Sequence, residues 1–197
     1  MTSASVLPRT RVLAVAVVAA LLALVGTQLI AQRPAGNAGA ATAGIVRITM
    51  TVHGMHQGQF KGDTLAGKGA SSTIAVVAYQ YSVTSPRDLA TGQASGKRQH
   101  HPVVITHELG NSSPQFFEAI VTNEVLDKVV INFAKTDASG KLTTFYVVTL
   151  RDATVSEFKQ YSSGNSVLED ISFTFRQIEQ QDKTDNITVI DSWVAAD

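Results

Sequence analysis

Cysteine is absent from all 197 residues, which excludes a disulfide framework, a thiolate nucleophile and a cysteine-based zinc site together. Acidic residues are missing from the first 44 positions, all sixteen Asp and Glu lying after Gly44. Positive charge is sparse as well. From Ile45 onward 13 basic residues stand against 16 acidic ones, a balance of −3, and only Lys97 and Arg98 are adjacent. Nucleic-acid recognition needs a concentrated positive face with aromatic platforms between the cations. With 7% aromatics and scattered basic residues the chain has neither, so no nucleic-acid partner is expected. No Gly-x-Ser-x-Gly elbow appears, and no carboxylate pair is marked by its surroundings. No catalytic residue is assigned, and the chain is not expected to be an enzyme.

What is present is 44% hydrophobic residues, enough for one domain with a real core. The first long apolar run, residues 12–31, follows Arg9 and Arg11 and is broken only by Gly26, Thr27 and Gln28. It is about the 20 residues that a bilayer-crossing helix needs, and the preceding arginines favour a C-terminus sent across the membrane. Residues 1–32 are therefore expected to be a signal peptide or a signal anchor, forming an apolar helix. Export follows from either form, and any membrane association would run through this segment alone. Residues 33–44 are almost all Ala, Gly, Asn and Thr, with little to bury, and read as a flexible linker.

At Ile45 the hydrophobic period changes to two. Val46, Ile48, Met50 and Val52 share one parity and Arg47, Thr49, Thr51 and His53 the other, the pattern of a half-buried strand. Further strands are expected over residues 73–83, 103–109, 129–135, 142–150, 153–161, 168–178 and 187–194, with a turn at Asp137-Ala138-Ser139-Gly140. Seven or eight strands at this spacing indicate a barrel or sandwich. One helix interrupts them: Ser113 supplies a cap, Pro114 the first helical position, and Phe117, Ile120 and Val121 fall on one face. Residues 45–197 thus form a mainly β domain with one short flanking helix.

Two constellations imitate chemistry without meeting its requirements. Gly92 to Lys97 is like a phosphate-binding loop, but three residues separate the glycines instead of four, Arg98 replaces the magnesium-binding hydroxyl, and a strand follows. His100, His101 and His107 with Glu108 offer metal ligands, yet adjacent strand residues point to opposite faces, and His101 and His107 would stand about 20 Å apart. His107 instead shares parity with Val103, Ile105 and Leu109, as a hydrogen-bonded core histidine would. No metal and no cofactor are expected. Residues 85–99 form a long stretch without a strand pattern inside the domain, and loops of this length usually carry function.

That loop also opens the longest of several ordered matches. Ser82-Val83-Thr84-Ser85-Pro86 leads to Ser95-Gly96-Lys97-Arg98-Gln99-His100-His101-Pro102, and the segment Ser113-Pro114-Gln115-Phe116-Phe117-Glu118-Ala119 comes next. After them stand Val129-Val130-Ile131-Asn132-Phe133, Thr144-Phe145-Tyr146-Val147-Val148, Leu150-Arg151-Asp152-Ala153-Thr154-Val155, and the run from Glu169 to Glu179. In this order and spacing the chain resembles the Hcp family, the tube proteins of bacterial type VI secretion. The resemblance implies an Hcp-like β-barrel of two packed sheets, a homohexameric ring, and stacking of rings into a hollow tube. Spike protein, sheath and small effector proteins carried in the lumen are the partners it implies. It also makes the long loop a ring-stacking element, with Pro86, Arg87, Asp88, Gly92, Gly96, Lys97 and Arg98 as its site residues. Tube subunits ordinarily lack an export segment, so residues 1–32 are a departure. They leave a second reading open, an exported or surface-tethered monomeric binding module acting as adhesin or cargo carrier.

Overall fold

A computed structural model describes residues 46–62, 72–137 and 139–193. The expected export segment and linker lie outside the described residues. Residues 44–197 make one compact unit, mainly β, with two sheets and one helix among the described residues.

Among the described residues eleven strands follow one another: β1 (Val46–Gly54), β2 (Gly58–Gln59), β3 (Ile74–Val76), β4 (Ala78–Gln80), β5 (Val83–Thr84), β6 (Gln99–His100), β7 (Val103–Glu108), β8 (Leu126–Thr136), β9 (Leu142–Ser163), β10 (Ser166–Asp182) and β11 (Ile187–Ser192), with helix α1 (Ser113–Thr122) between β7 and β8. The larger sheet runs β2-β1-β8-β9-β10-β7-β4. It also closes on itself. β3 pairs with β1, β4 pairs with β7, and the two are joined through Val77, whose N–H donates to Thr106 O at 2.8 Å. The ladder that leaves β1 through β8 therefore returns to it, and β11 lies outside the closed ring, paired with β10. The second sheet is the ribbon of β5 and β6.

The alternation predicted from sequence is the one that builds the core. Met50 and Val52, Val103 and Ile105, Ile171 and Phe173 are all buried inside the barrel. The two segments expected on either side of Arg151-Asp152 are one strand, β9, rather than two. Asp152 takes a left-handed φ of 47° and forms a local kink, while pairing with β10 resumes on both sides of it. A two-residue turn at Gly164-Asn165 joins β9 to β10, with Gly164 at φ +59, a conformation that favours glycine.

Helix α1 is present where the Ser-Pro signal placed it, with a different phase. Ser112 is the cap residue, Ser113 the first helical position and Pro114 the second. Ser113 Oγ accepts a hydrogen bond from Gly110 N at 2.9 Å. The buried face is Ser113, Phe116 and Ala119, whereas Phe117 and Val121 are 55% and 59% exposed. The expected apolar face is thus corrected by one position. Phe116 wins the core because its ring meets Phe60 at 5.2 Å, His107 at 5.4 Å and Phe173 at 6.1 Å. Phe117 packs across the outside on Phe158 of β9, 5.8 Å away.

At its C-terminus α1 ends on Asn123 in the left-handed conformation, after which Glu124 turns inward. Its Oε1 accepts hydrogen bonds from His56 N and Gln57 N, each at 2.8 Å, and its Oε2 accepts from Gln57 Nε2 at 2.7 Å. Burial pushes this carboxyl up, but the Gln57 and His56 donors outweigh it and hold it below the usual glutamate value. The helix end is thereby tied to the β1–β2 turn.

Candidate functional site

Residues 81–102 leave the barrel between β4 and β7 as a hairpin arm. The sequence marks residues 85–99 of it as lacking strand pattern, yet the arm is paired at its base and towards its tip. At its base Val83 opposes His100 and Thr84 opposes Gln99, and His101 N donates to Ser82 O at 3.0 Å. Further out, Ser95 N donates to Pro86 O at 3.0 Å, Arg87 and Ala94 form an isolated bridge, and Asp88 N donates to Gln93 O at 2.9 Å. Short polar residues hide this pairing from a hydrophobic-period reading, because neither face of the outer arm is buried.

The tip is organised by Asp88. Its Oδ1 accepts from Thr91 Oγ1 at 2.9 Å, Thr91 N at 2.8 Å and Ala90 N at 3.1 Å, and these bonds, led by the Thr91 hydroxyl, hold the carboxyl below its ordinary value. Gly92 closes the turn from the other side, at φ +71, its N–H donating to Asp88 O at 2.9 Å. Side-chain and backbone bonds of this kind are how Asp and Gly build turns. Leu89 sits at the apex with its side chain wholly in solvent, at 103% relative exposure.

The arm is clamped to the barrel at its root. Arg98 reaches across to β11, where Nε and a terminal nitrogen donate to the two carboxylate oxygens of Asp191. The His100 side chain is buried, its Nε2 3.3 Å from Asp191 Oδ2 and its Nδ1 2.6 Å from the Tyr81 hydroxyl. Around that imidazole stand Tyr81, Phe175 and Trp193, at centroid distances of 6.2, 5.6 and 5.7 Å. Partial burial pushes Asp191 up, but Arg98, Ser192 N and His100 together bring it below the ordinary aspartate value. Tyr81 is raised, chiefly by burial and then by Asp191.

Of the residues singled out from sequence, Pro86, Arg87, Asp88, Gly92 and Gly96 lie together in the outer hairpin, and Lys97 is exposed beside them. Arg98 lies apart from them, in the clamp. Leu89, Tyr81, Asp191 and Trp193 escaped the sequence reading, which weighed His100 only as a metal ligand, and only the fold brings residues 81, 98, 100 and 191 together.

Other polar residues weighed from sequence have structural places. His100 is buried and His101 exposed, so the pair does point to opposite sides. His107 is the core histidine its parity required, with Nε2 3.0 Å from Glu169 Oε2 and both side chains fully buried; Gln160 Nε2 donates to Glu169 Oε1 at 2.5 Å. Ser156 and Lys159 of β9 have the spacing of a Ser-x-x-Lys nucleophile pair, but each is engaged elsewhere. Ser156 Oγ donates to Ser172 O at 3.1 Å, and the Lys159 ammonium lies over the Tyr161 ring at 5.3 Å. Among the described residues no group of three or more His, Asp or Glu is arranged to hold a metal ion, and no helix is long and apolar enough to cross a membrane.

Known proteins share this arrangement. Residues 49–181 match the family model described as type VI secretion system effector, Hcp. The chain is 32% identical to the major exported protein of Pseudomonas aeruginosa over 165 residues, which cover 78% of this chain and 96% of that one. The secreted protein Hcp3 of Pseudomonas aeruginosa superposes with a TM-score of 0.66 at 26% identity, over 77% of this chain and all of the other. A crystal structure of an Hcp protein superposes with a TM-score of 0.72 at 23% identity and the same coverage. A closed barrel, a flanking helix and a match running through nearly the whole folded unit together establish that this chain belongs to the Hcp family of the type VI secretion system.

Proposed function

We propose that the chain is a structural subunit that closes in sixes into a ring, that the rings stack into a secretion tube, and that the tube lumen carries small effector proteins. The observation that carries this reading is the arm: a paired, clamped hairpin that projects from a closed barrel with its cations and an apolar apex in solvent. An arm held this firmly, with so little of its own chain to contact, suits a contact with another copy. Side-by-side contacts between unlike surfaces close into rings where the rotation permits, and a closed barrel supplies a rigid wall segment for such a ring.

In this reading Pro86, Arg87, Asp88, Gly92, Gly96 and Lys97 form the ring-stacking surface, and Arg98 sets its angle through Asp191. Spike and sheath proteins are the further partners of a tube. The export segment at residues 1–32 adds delivery of the subunit across a membrane, as a cleaved signal or a retained anchor. The subunit does no chemistry; it assembles.

Electron microscopy of the full chain, purified in a mild detergent that accommodates residues 12–31, tests the proposal. End-on views with six-fold rings are expected. Particles of one-subunit size at every concentration would favour the monomeric exported binding module instead.

A further inference from the structure

Resting on the reading of the arm as a contact between copies, we infer that the arm tip of one copy seats Leu89 in an apolar groove beside helix α1 of a neighbouring copy. The groove is about 680 Å³ and is lined by Leu109, Gly110, Ser113, Pro114, Phe117, Phe158 and Gln160. It is open to solvent, and a single leucine side chain takes up only a fraction of that volume.

Knob and socket match in three respects. Leu89 is wholly exposed, yet it is held at the apex of a turn fixed by the Asp88 side chain and Gly92, so little ordering remains to be done on binding. The groove is the converse, an apolar surface left open because Phe116 rather than Phe117 fills the core; Leu109 and Phe117 are both more than half exposed. Charge is complementary too. The outer arm carries Arg87 and Lys97 against Asp88, which is spent on its own turn, while Arg98 is engaged by Asp191 at the root. Beside the groove, Glu108 and Glu118 adjoin Leu109 and Phe117 in the chain, α1 has no basic residue, and Lys159 is engaged over Tyr161.

The contact is heterologous, since each copy offers a knob to one neighbour and a socket to another, so it propagates. It also makes a sharp covalent test, because the chain has no cysteine of its own. Full-length protein carrying both Leu89→Cys and Phe117→Cys, treated with a short thiol-to-thiol crosslinker, is expected to give an open-ended ladder on a denaturing gel. A mixture of the two single variants should stop at dimers, and each single variant alone should remain monomeric on the gel. Leu89→Ser should weaken the contact roughly ten- to hundredfold, the equivalent of re-exposing one leucine side chain.

Six-fold rings without a ladder would overturn the knob and socket and leave the ring reading intact. Leu89→Cys alone giving dimers as efficiently as the mixture would also overturn it, by showing that tip meets tip. Absence of both rings and ladder would remove the ring reading together with the inference that rests on it.

Discussion

Gly54→Ala is a one-carbon change whose cost is set by a single carboxylate. A Cβ placed on Gly54 would stand 2.4 Å from Glu124 Oε1 and 3.3 Å from Phe60 Cε1. Gly54 does not occupy the left-handed region, so alanine is compatible with its backbone and would, by limiting the unfolded chain, favour folding slightly. The penalty is therefore steric and is transmitted through Glu124. To admit the methyl group, Oε1 must move away from His56 N and Gln57 N, which it now accepts at 2.8 Å. Overpacking costs roughly 1–3 kcal/mol, and a hydrogen bond to a charged group contributes about 1.5–3 kcal/mol. With partial relaxation, a loss of about 2–4 kcal/mol is expected, lowering Tm by about 5–15 °C for a domain of this size. The assay is thermal unfolding followed by circular dichroism in a double-mutant cycle with Glu124→Ala. If the carboxylate is the obstacle, Gly54→Ala should cost less than about 1 kcal/mol once Glu124 is truncated, a large departure from additivity. An equal cost in both backgrounds would refute the reasoning.

Two further predictions bear on the helix and the arm. Phe116→Ala should destabilise by about 3–5 kcal/mol as a core truncation, whereas Phe117→Ala should cost about 1 kcal/mol or less, and denaturant unfolding of both variants measures the difference; equal losses would contradict the phase assigned to α1. At the arm root, the Asp191 carboxyl is held below its ordinary value, so its contribution to stability is fully present above the unfolded value of about 3.9 and is lost as pH falls through the lower folded value. The only tryptophan, Trp193, lies 5.7 Å from His100, so its fluorescence should change on the acid side in the parent chain, and Asp191→Asn should remove that transition.

The barrel was legible in the sequence because its core strands, such as β1, β7 and β10, each bury one face. The parity of Met50 with Val52, and of Ile171 with Phe173, carries the core face directly into a period of two. Helix α1 was legible in position but not in phase. Phe116 and Phe117 are adjacent and equally apolar, and only the Phe60 and Phe173 rings, distant in sequence, decide which one turns inward. The arm reads as a structureless loop for the opposite reason: with no buried face it has no period, and its pairing depends on backbone bonds and the Asp88 side chain. Arg98 and Asp191 stand 93 residues apart, and no local pattern links them. Glu124 was invisible as a buried group, since its partners are mostly backbone N–H donors.

The central claim is assembly, and the mass of the assembled particle tests it most directly. Sedimentation equilibrium of the full chain, with the solvent density-matched to the detergent, should give six times the 20.9 kDa chain mass, with stacked multiples of six as concentration rises. A single chain mass across the whole concentration range would contradict the account.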